Sequence, residues 1–260
     1  MNSETGPEIS PEISVVVPVL DEAENIVPLV EEIYRALADG PAFEIVYVDD
    51  GSSDESFEIL SELAARPNFR AVRHAARAGQ SAAIWSGVRA AAGTLIATLD
   101  GDGQNDPADI PRLLAVYRAE AGGEGAPLMI AGHRRRRRDG IAKRASSRIA
   151  NAVRKRVLGD QTPDTGCGLK LFPRTAYLGF PAFDHMHRFL PALMMRAGGR
   201  VISEGVSHRA RSRGCSKYGM WDRLWVGLAD LRGVAWLARR AMRPKIAEIK
   251  GGPGELGTGK

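Results

Sequence analysis

The chain has 260 residues, 44% of them hydrophobic, which suits one α/β domain with additions or at most two domains. Its two cysteines, Cys167 and Cys215, show neither a zinc-ligand spacing nor a disulfide framework, and no run of about 18 uncharged apolar residues marks a membrane span. The net charge of +5 is lopsided: residues 131–158 hold eleven bases against one acid, or +10, and the remainder carries −5.

In chain order, residues 1–12 are polar and lack the basic start and apolar core of a secretory signal, so they read as a flexible N-terminus. With the cysteine usage this fits a reducing, cytoplasmic compartment. The β-branched run Ile13 to Val19 predicts a first strand, and Asp21-Glu22-Ala23-Glu24-Asn25 opens a helix with Ile26, Leu29, Val30, Ile33 and Leu37 at helical spacing. Phe43 to Val48 predicts a second strand, ending in Asp49-Asp50-Gly51-Ser52-Ser53-Asp54, where Ser53 or Asp54 would cap the next helix. Phe69 to Arg73 reads as a strand, Gln80 to Ala92 as a helix, and Thr94 to Leu99 as a buried fourth strand. Asp106-Pro107 starts another helix, and Pro127 to Ala131 is a fifth strand. Beyond it come a basic helix over Lys143 to Leu158, a loop over Gly159 to Gly168, strands over Leu169 to Phe172 and Arg200 to Val206, and a helix over His187 to Ala197. Trp221 to Met242 forms a last helical segment, and 244–260 end in a Gly-rich flexible tail. Strands alternating with helices argue a mostly parallel central sheet flanked by helices on both faces.

Chemistry concentrates where strands end. Asp21-Glu22, Asp49-Asp50 and Asp100/Asp102 each follow a strand, so in a parallel sheet they share one rim, where open α/β sheets bind ligands. If side chains alternate past the fourth strand, Asp100 and Asp102 face one point, a pairing that a hard divalent ion such as Mg²⁺ or Mn²⁺ would relieve. A solvated Asp-Gly turn is the plainer reading of the same residues. No Gly-x-Gly-x-x-Gly follows the first strand, where Pro18-Val19-Leu20-Asp21-Glu22-Ala23-Glu24-Asn25 stands instead, and no Walker loop is present, so a nucleotide would be held by acids and a metal. The basic segment expects anionic lipid headgroups or phosphorylated substrates. It has no interleaved aromatics and the chain shows no nucleic-acid module, which disfavours nucleic acid; a solvated basic face stays open. In Trp221 to Met242, Leu224, Leu228, Leu231, Ala235 and Met242 share a face, flanked by Trp225 and Trp236, with Arg232, Arg239, Arg240 and Arg243 opposite. That amphipathic pattern suits a helix lying on a membrane, a core-packing helix or an oligomer contact.

The motifs in order, Val17-Pro18-Val19-Leu20-Asp21-Glu22-Ala23-Glu24-Asn25, Val48-Asp49-Asp50-Gly51-Ser52-Ser53-Asp54 and Asp100-Gly101-Asp102-Gly103-Gln104, resemble glycosyltransferase family 2, which has a GT-A (Rossmann-like) fold. Gly132-His133-Arg134, Asp164-Thr165-Gly166-Cys167-Gly168 and Arg211-Ser212-Arg213-Gly214-Cys215-Ser216-Lys217-Tyr218 are similar to its polyprenyl-phosphate branch, typified by dolichyl-phosphate mannose synthase. The resemblance implies a transferase domain over 13–219 and an amphipathic helical extension over 220–243. It puts Pro18, Leu20 and Glu22 beside the nucleobase, Asp50 on the nucleoside, and Asp100, Asp102 and Gln104 around the metal and donor diphosphate. Arg134 would contact phosphate, Asp164 would sit near the acceptor as a base or as a loop cap, and Arg211, Ser216 and Lys217 would clamp phosphates at the reaction centre, with Asp102, Asp164, Arg211 and Lys217 as the catalytic set. The implied activity is inverting, metal-dependent transfer of a hexose or hexuronic acid from a UDP- or GDP-linked donor to a polyprenyl phosphate, by a protein peripheral on the cytoplasmic face of the membrane, with a homo-oligomer as a further option. A non-lipid acceptor, or a non-catalytic module recruiting a membrane partner, are the competing readings. Cys167 stands where many relatives have serine, a small-for-small exchange of little expected consequence.

Overall fold

The computed structural model describes residues 10–122, 125–134, 154–210 and 222–240, with side chains in the last stretch from 229 onward. Seven strands form one sheet in the order β3-β2-β1-β4-β6-β5-β7. They are β1 (Ile13–Val19), β2 (Phe43–Asp49), β3 (Phe69–Arg73), β4 (Leu95–Thr98), β5 (Leu128–Arg134), β6 (Lys170–Pro173) and β7 (Arg200–Val206). Only β6 runs antiparallel, wedged between β4 and β5; the other pairings are parallel. All seven residues of β1 are buried, because helices cover both faces and leave no solvated side for polar alternation.

The helices are α1 (Ala23–Leu37), α2 (Ser56–Leu63), α3 (Gln80–Ala90), α4 (Ile110–Glu120), α5 (Arg174–Leu178), α6 (Leu190–Arg196) and α7 (Asp222–Arg239), with a further helical turn at 154–158. One core layer sets Val15, Val17, Ile45 and Tyr47 against Ile26, Ile33 and Leu60 of α1 and α2 and Leu113 of α4. The other sets Val16, Val46, Val48 and Ile96 against Ala83 and Val88 of α3, Tyr177 of α5 and Leu193 of α6. Alternate residues of one strand thus feed opposite layers.

Two local readings are corrected. The second helix starts at Ser56 and neither Ser53 nor Asp54 is its N-cap residue; that position is Glu55, without a side-chain bond. Asp54 Oδ1 nevertheless accepts the Ser56 N–H at 3.0 Å, while Ser53 N–H donates to Asp21 Oδ1 at 2.7 Å. These two side chains stitch the turn after β2 to the turn after β1 rather than serving the helix alone. The fourth strand ends at Thr98 and residues 101–103 form a turn, so Asp100 and Asp102 are not brought together by strand alternation.

α7 settles in part on the body. Val234 is buried against Phe189 and Ala192, and Arg196 Nε donates to the Leu237 carbonyl at 2.9 Å. Trp236 is 58% exposed, with the Arg240 guanidinium 5.3 Å from its ring centroid. Among the described residues no helix is long and apolar enough to cross a membrane.

Candidate active site

The strand order places β2, β1 and β4 side by side, and all three point the same way. The acidic turns that follow them therefore land on one rim, at the point where successive crossovers leave in opposite directions along the sheet. Each turn is locked to its neighbour. Asp21 N–H donates to Ser52 Oγ at 2.9 Å, Glu22 N–H to Ser56 Oγ at 3.0 Å, and Asp50 N–H to the Val19 carbonyl at 2.9 Å. Asp21 takes a positive φ of 50°. Pro18 is buried, Leu20 and Glu22 are half-buried, and Glu22 Oε2 accepts from Asn25 Nδ2 at 2.6 Å.

Asp50 is nearly enclosed, and its oxygens serve the loop before α3. Oδ1 accepts from Ala78 N–H at 2.8 Å and meets His74 Nδ1 at 2.8 Å, while Oδ2 accepts from Gly79 N–H at 2.8 Å. His74 Nε2 is held in turn by Ser86 Oγ at 2.9 Å. Asp50 thus shapes the backbone that leads into Gln80, and Gln80 Nε2 donates to Asp100 Oδ1 at 2.9 Å. Through this loop the second acidic turn orients the third.

Asp100 lies at the centre. Its N–H donates to Asn105 Oδ1 at 3.2 Å, and Asp102 Oδ1 accepts from Gln104 N–H at 3.1 Å, a local bond that closes the turn. Burial, with the Asp102 charge added, pushes the Asp100 carboxyl up to about 6, and Lys170, Arg134 and the Gln80 bond oppose the rise. Two close packings explain the glycines around it. A Cβ on Gly168 would stand 2.3 Å from the Asp100 carboxylate, and one on Gly101 would stand 2.5 Å from Val19 Cγ1 and 2.9 Å from the Pro18 carbonyl oxygen. The Asp-Gly-Asp spacing is therefore a packing requirement of the turn against β1.

These residues fit a hard divalent cation. Asp100 and Asp102 are oxygen donors on one turn, close enough for the Asp102 charge to raise the Asp100 carboxyl, and that repulsion is what a cation removes. Among the described residues no group of three His, Cys, Asp or Glu side chains gathers, so further ligands would come from Gln104, from water or from a substrate phosphate. An enclosed acid alone would not make such a site. Glu44, at the other end of β2, is as well buried, but it accepts from Ser14 Oγ and Ala92 N–H, both at 2.5 Å, and reads as structural.

The far wall comes from β5, β6 and the loop 159–168. Arg134 forks onto Asp164, with Nε to Oδ2 at 2.6 Å and Nη2 to Oδ1 at 2.7 Å. Burial works against the Arg134 charge, but the Asp164 bonds and charge outweigh it and raise its pKa. Asp164 is 5% exposed and its two oxygens are taken up by this fork, so in this structure the two residues expected at the acceptor hold each other. Arg154 does the same work further along, pairing with Asp160 at 3.1 Å and bonding the Thr162 carbonyl and Thr165 Oγ1. Of the described members of the basic segment, Arg134 and Arg154 are thus spent on the loop, while Lys155 and Arg156 are exposed.

Lys170 was not singled out in the sequence. It is 4% exposed on β6, opposite Thr98 in register, and its ammonium donates to the Cys167 carbonyl. Burial pushes its pKa down, against the pull of Cys167, Asp100 and Asp164. A lysine inside the short apolar run Leu169 to Phe172 was the signal available for it. Cys167 is a buried free thiol, with Asn105 Nδ2 at 3.8 Å from its sulfur.

Between the walls lies a cavity of about 540 Å³, lined by Gln80, Asp100, Gly168, Lys170, His187 and Arg188 among others. The segment after β7 borders the turn: Arg209 N–H donates to the Gln104 carbonyl at 3.0 Å, and its guanidinium reaches Glu32 and Asp106, each at 2.7 Å. Arg211, Ser216 and Lys217, expected two to eight residues further on, lie outside the described residues, as do Arg135–Arg138 and Lys143, Arg144 and Arg148 of the basic segment.

Comparison with known proteins agrees with this geometry. Residues 14–178 match the model of the family Glycosyl transferase family 2. The chain is 35% identical over 245 residues to dodecaprenyl-phosphate galacturonate synthase of Rhizobium johnstonii, an alignment covering 92% of this chain and 70% of that protein. It is 37% identical over 214 residues to undecaprenyl-phosphate 4-deoxy-4-formamido-L-arabinose transferase of Edwardsiella ictaluri, covering 80% of this chain and 63% of that protein. The chain thus spans roughly two thirds of the length of these curated relatives. Glucosyl-3-phosphoglycerate synthase from Mycobacterium tuberculosis has a similar fold: its complex with Mg²⁺ and UDP gives a TM-score of 0.62 at 20% identity, covering 86% of this chain and 80% of that chain. At that identity the likeness speaks to the fold alone.

Proposed function

The chain belongs to glycosyl transferase family 2 and has a GT-A-like fold; from that premise we propose that it transfers a hexose or hexuronic acid, with inversion, from a UDP- or GDP-linked donor to a polyprenyl phosphate. The two curated relatives are named for dodecaprenyl- and undecaprenyl-phosphate chemistry, which supports a lipid phosphate as acceptor here. The observation that carries the reading is the meeting of three acidic turns on one rim, beside a cavity that Asp100 and Lys170 both line, with the Arg134–Asp164 fork next to it. One side suits a nucleotide diphosphate and its cation, the other a second anion.

A phosphate monoester is already an anion near neutral pH, so its attack on the sugar requires no general base. The protein's task is to hold two anions close and to offset the charge that develops on the departing diphosphate. Asp100, Asp102 and Gln104 would hold Mg²⁺ or Mn²⁺, which when bound supplies positive charge to the leaving diphosphate. Pro18, Leu20, Glu22 and Asp50 would border the nucleoside, Asp50 through the loop it shapes. Asp164 then acts by holding Arg134, whose Nη1 has no partner among the described residues and would meet substrate phosphate. Arg211, Ser216 and Lys217 would complete the acceptor clamp. The transferase body is taken as 13–219, with 220–243 resting on the cytoplasmic leaflet through Trp236 and its neighbouring arginines.

The test is a matrix of nucleotide sugars against a polyprenyl phosphate, with the lipid product identified by mass spectrometry. A polyprenyl-phosphate sugar from at least one donor is the expected result. Transfer to soluble alcohols with none to the lipid would refute the acceptor.

A further inference from the structure

One guanidinium in the cavity has no task in the scheme above. Arg188 closes the single 3₁₀ turn Met186–Arg188, just before α6, and lines the same cavity as Gln80, Asp100 and Lys170. The other cations and imidazoles of that wall are engaged. Lys170 bonds the Cys167 carbonyl, and Arg77 has an interaction of its own. His185 lies between Asp184 at 3.5 Å and Asp230 at 3.2 Å. Asp184, the acid nearest to Arg188 in sequence, also accepts the His185 N–H at 2.7 Å. Arg188's guanidinium makes no ion pair and no side-chain hydrogen bond among the described residues, although the residue is only half exposed to solvent.

Its neighbour sharpens the point. His187 N–H donates to Ser81 Oγ at 3.1 Å, and the same hydroxyl meets His187 Nδ1 at 2.7 Å. Ser81 Oγ thus holds both the backbone and the ring of His187. Burial pushes the imidazole down to about 3, and Arg188 and Lys170 add to the effect, so the ring is neutral. The wall thus presents a neutral imidazole next to a fixed positive charge. A cation taken partly out of water without a counter-charge carries a desolvation cost that an anionic ligand would relieve. A guanidinium fork matches phosphate oxygens in pairs.

We propose that Arg188 is a substrate-binding residue that takes a phosphate oxyanion in this cavity, beside the neutral imidazole of His187. The proposal deepens the glycosyltransferase reading and rests on it for the identity of the cavity. The oxyanion belongs either to the donor diphosphate or to the prenyl phosphate, and binding measurements without turnover tell the two apart.

Arg188→Ala and Arg188→Lys would be compared with the full wild-type chain by calorimetry, using UDP and GDP with Mn²⁺ in one arm and a short soluble prenyl phosphate in the other. Thermal melts confirm that each variant folds. The expected result is a loss of ~10-fold or more in one arm for Arg188→Ala, partly restored in Arg188→Lys, with the arm that moves naming the source. Affinities in both arms within about twofold of wild type would overturn the proposal, as would a wild-type chain that binds neither probe. No step of this test depends on sugar transfer. A chain that binds these anions through Arg188 yet glycosylates no lipid would refute the acceptor assignment and leave the Arg188 site standing.

Discussion

At the scale of single residues, the site is built from charges held against their own repulsion. Asp100 is the clearest case. Its carboxyl is held at about 6 rather than the ordinary 3.8, by burial first and Asp102 second. The folded chain therefore binds that proton more tightly than the unfolded chain, and stability contributed by the group is lost as pH rises from about 4 to about 6. A displacement of this size corresponds to roughly 3 kcal/mol once both states are ionised. Asp100→Asn is expected to melt above wild type in chelator at neutral pH, with the advantage gone near pH ~4. Added Mn²⁺ should raise the melting temperature of the wild type and not of the variant. A variant less stable than wild type in chelator at neutral pH would contradict this account of Asp100. The pairing of Arg134 with Asp164 is the opposite case, two enclosed charges that satisfy each other; removal of either leaves a buried charge, at a cost of about 3–5 kcal/mol.

At the scale of elements, the strands that the sequence announced are the ones the described residues have, while the expected basic helix over 143–158 is described only from 154 and the short helix α5 was not expected. β1, β3 and β7 keep their expected bounds, because each is a β-branched or apolar run ended by a polar turn. The three acidic turns were readable for the same reason: a strand that stops at an acid exposes that acid at the sheet's end. What periodicity could not give was the tertiary wiring between turns. That Asp50 serves the loop before Gln80, that Asp54 ties to the turn after β1, and that Arg134 and Arg154 are spent on acids rather than offered to solvent all depend on contacts between distant segments. Lys170 and Arg188 were missed because neither belongs to an acidic motif; each is a cation set within an apolar stretch. The packing of Gly168 gives a prediction at this scale. Gly168→Ala forces a methyl group into the Asp100 carboxylate, and the loop 164–168 or the turn at 101–103 must move. The expected cost is ~1–3 kcal/mol in stability. On the proposed function, activity should fall more than ~10-fold, because the displaced group is the one proposed to hold the cation of the donor diphosphate. Wild-type turnover in that variant would show that the Asp100 geometry is not critical.

At the scale of the molecule, Asp100 of the acidic rim lines one cavity together with Lys170 and Arg188, while exposed Lys155, Arg156, Trp236 and Arg240 lie outside it. The amphipathic pattern of the last helix left core packing, an oligomer contact and membrane contact open; in the structure Val234 packs inward and Trp236 faces solvent. An indole beside arginines suits the headgroup region of an anionic bilayer. Trp236→Ala is expected to weaken sedimentation with anionic vesicles severalfold while leaving transfer to a short soluble prenyl phosphate unchanged. Equal vesicle binding by the variant and wild type would detach this helix from membrane contact.

The central claim is that a cation held by Asp100 and Asp102 neutralises the nucleotide diphosphate during transfer. Calorimetric titration of the donor nucleotide into wild type and Asp102→Asn, each with Mn²⁺ and with chelator, tests it most directly. The account predicts metal-dependent binding in the wild type and, in a variant with an unchanged melting profile in chelator, loss of that dependence together with a fall in turnover of ~100-fold or more. Metal-dependent binding at wild-type affinity in Asp102→Asn, or full turnover in excess chelator, would contradict it.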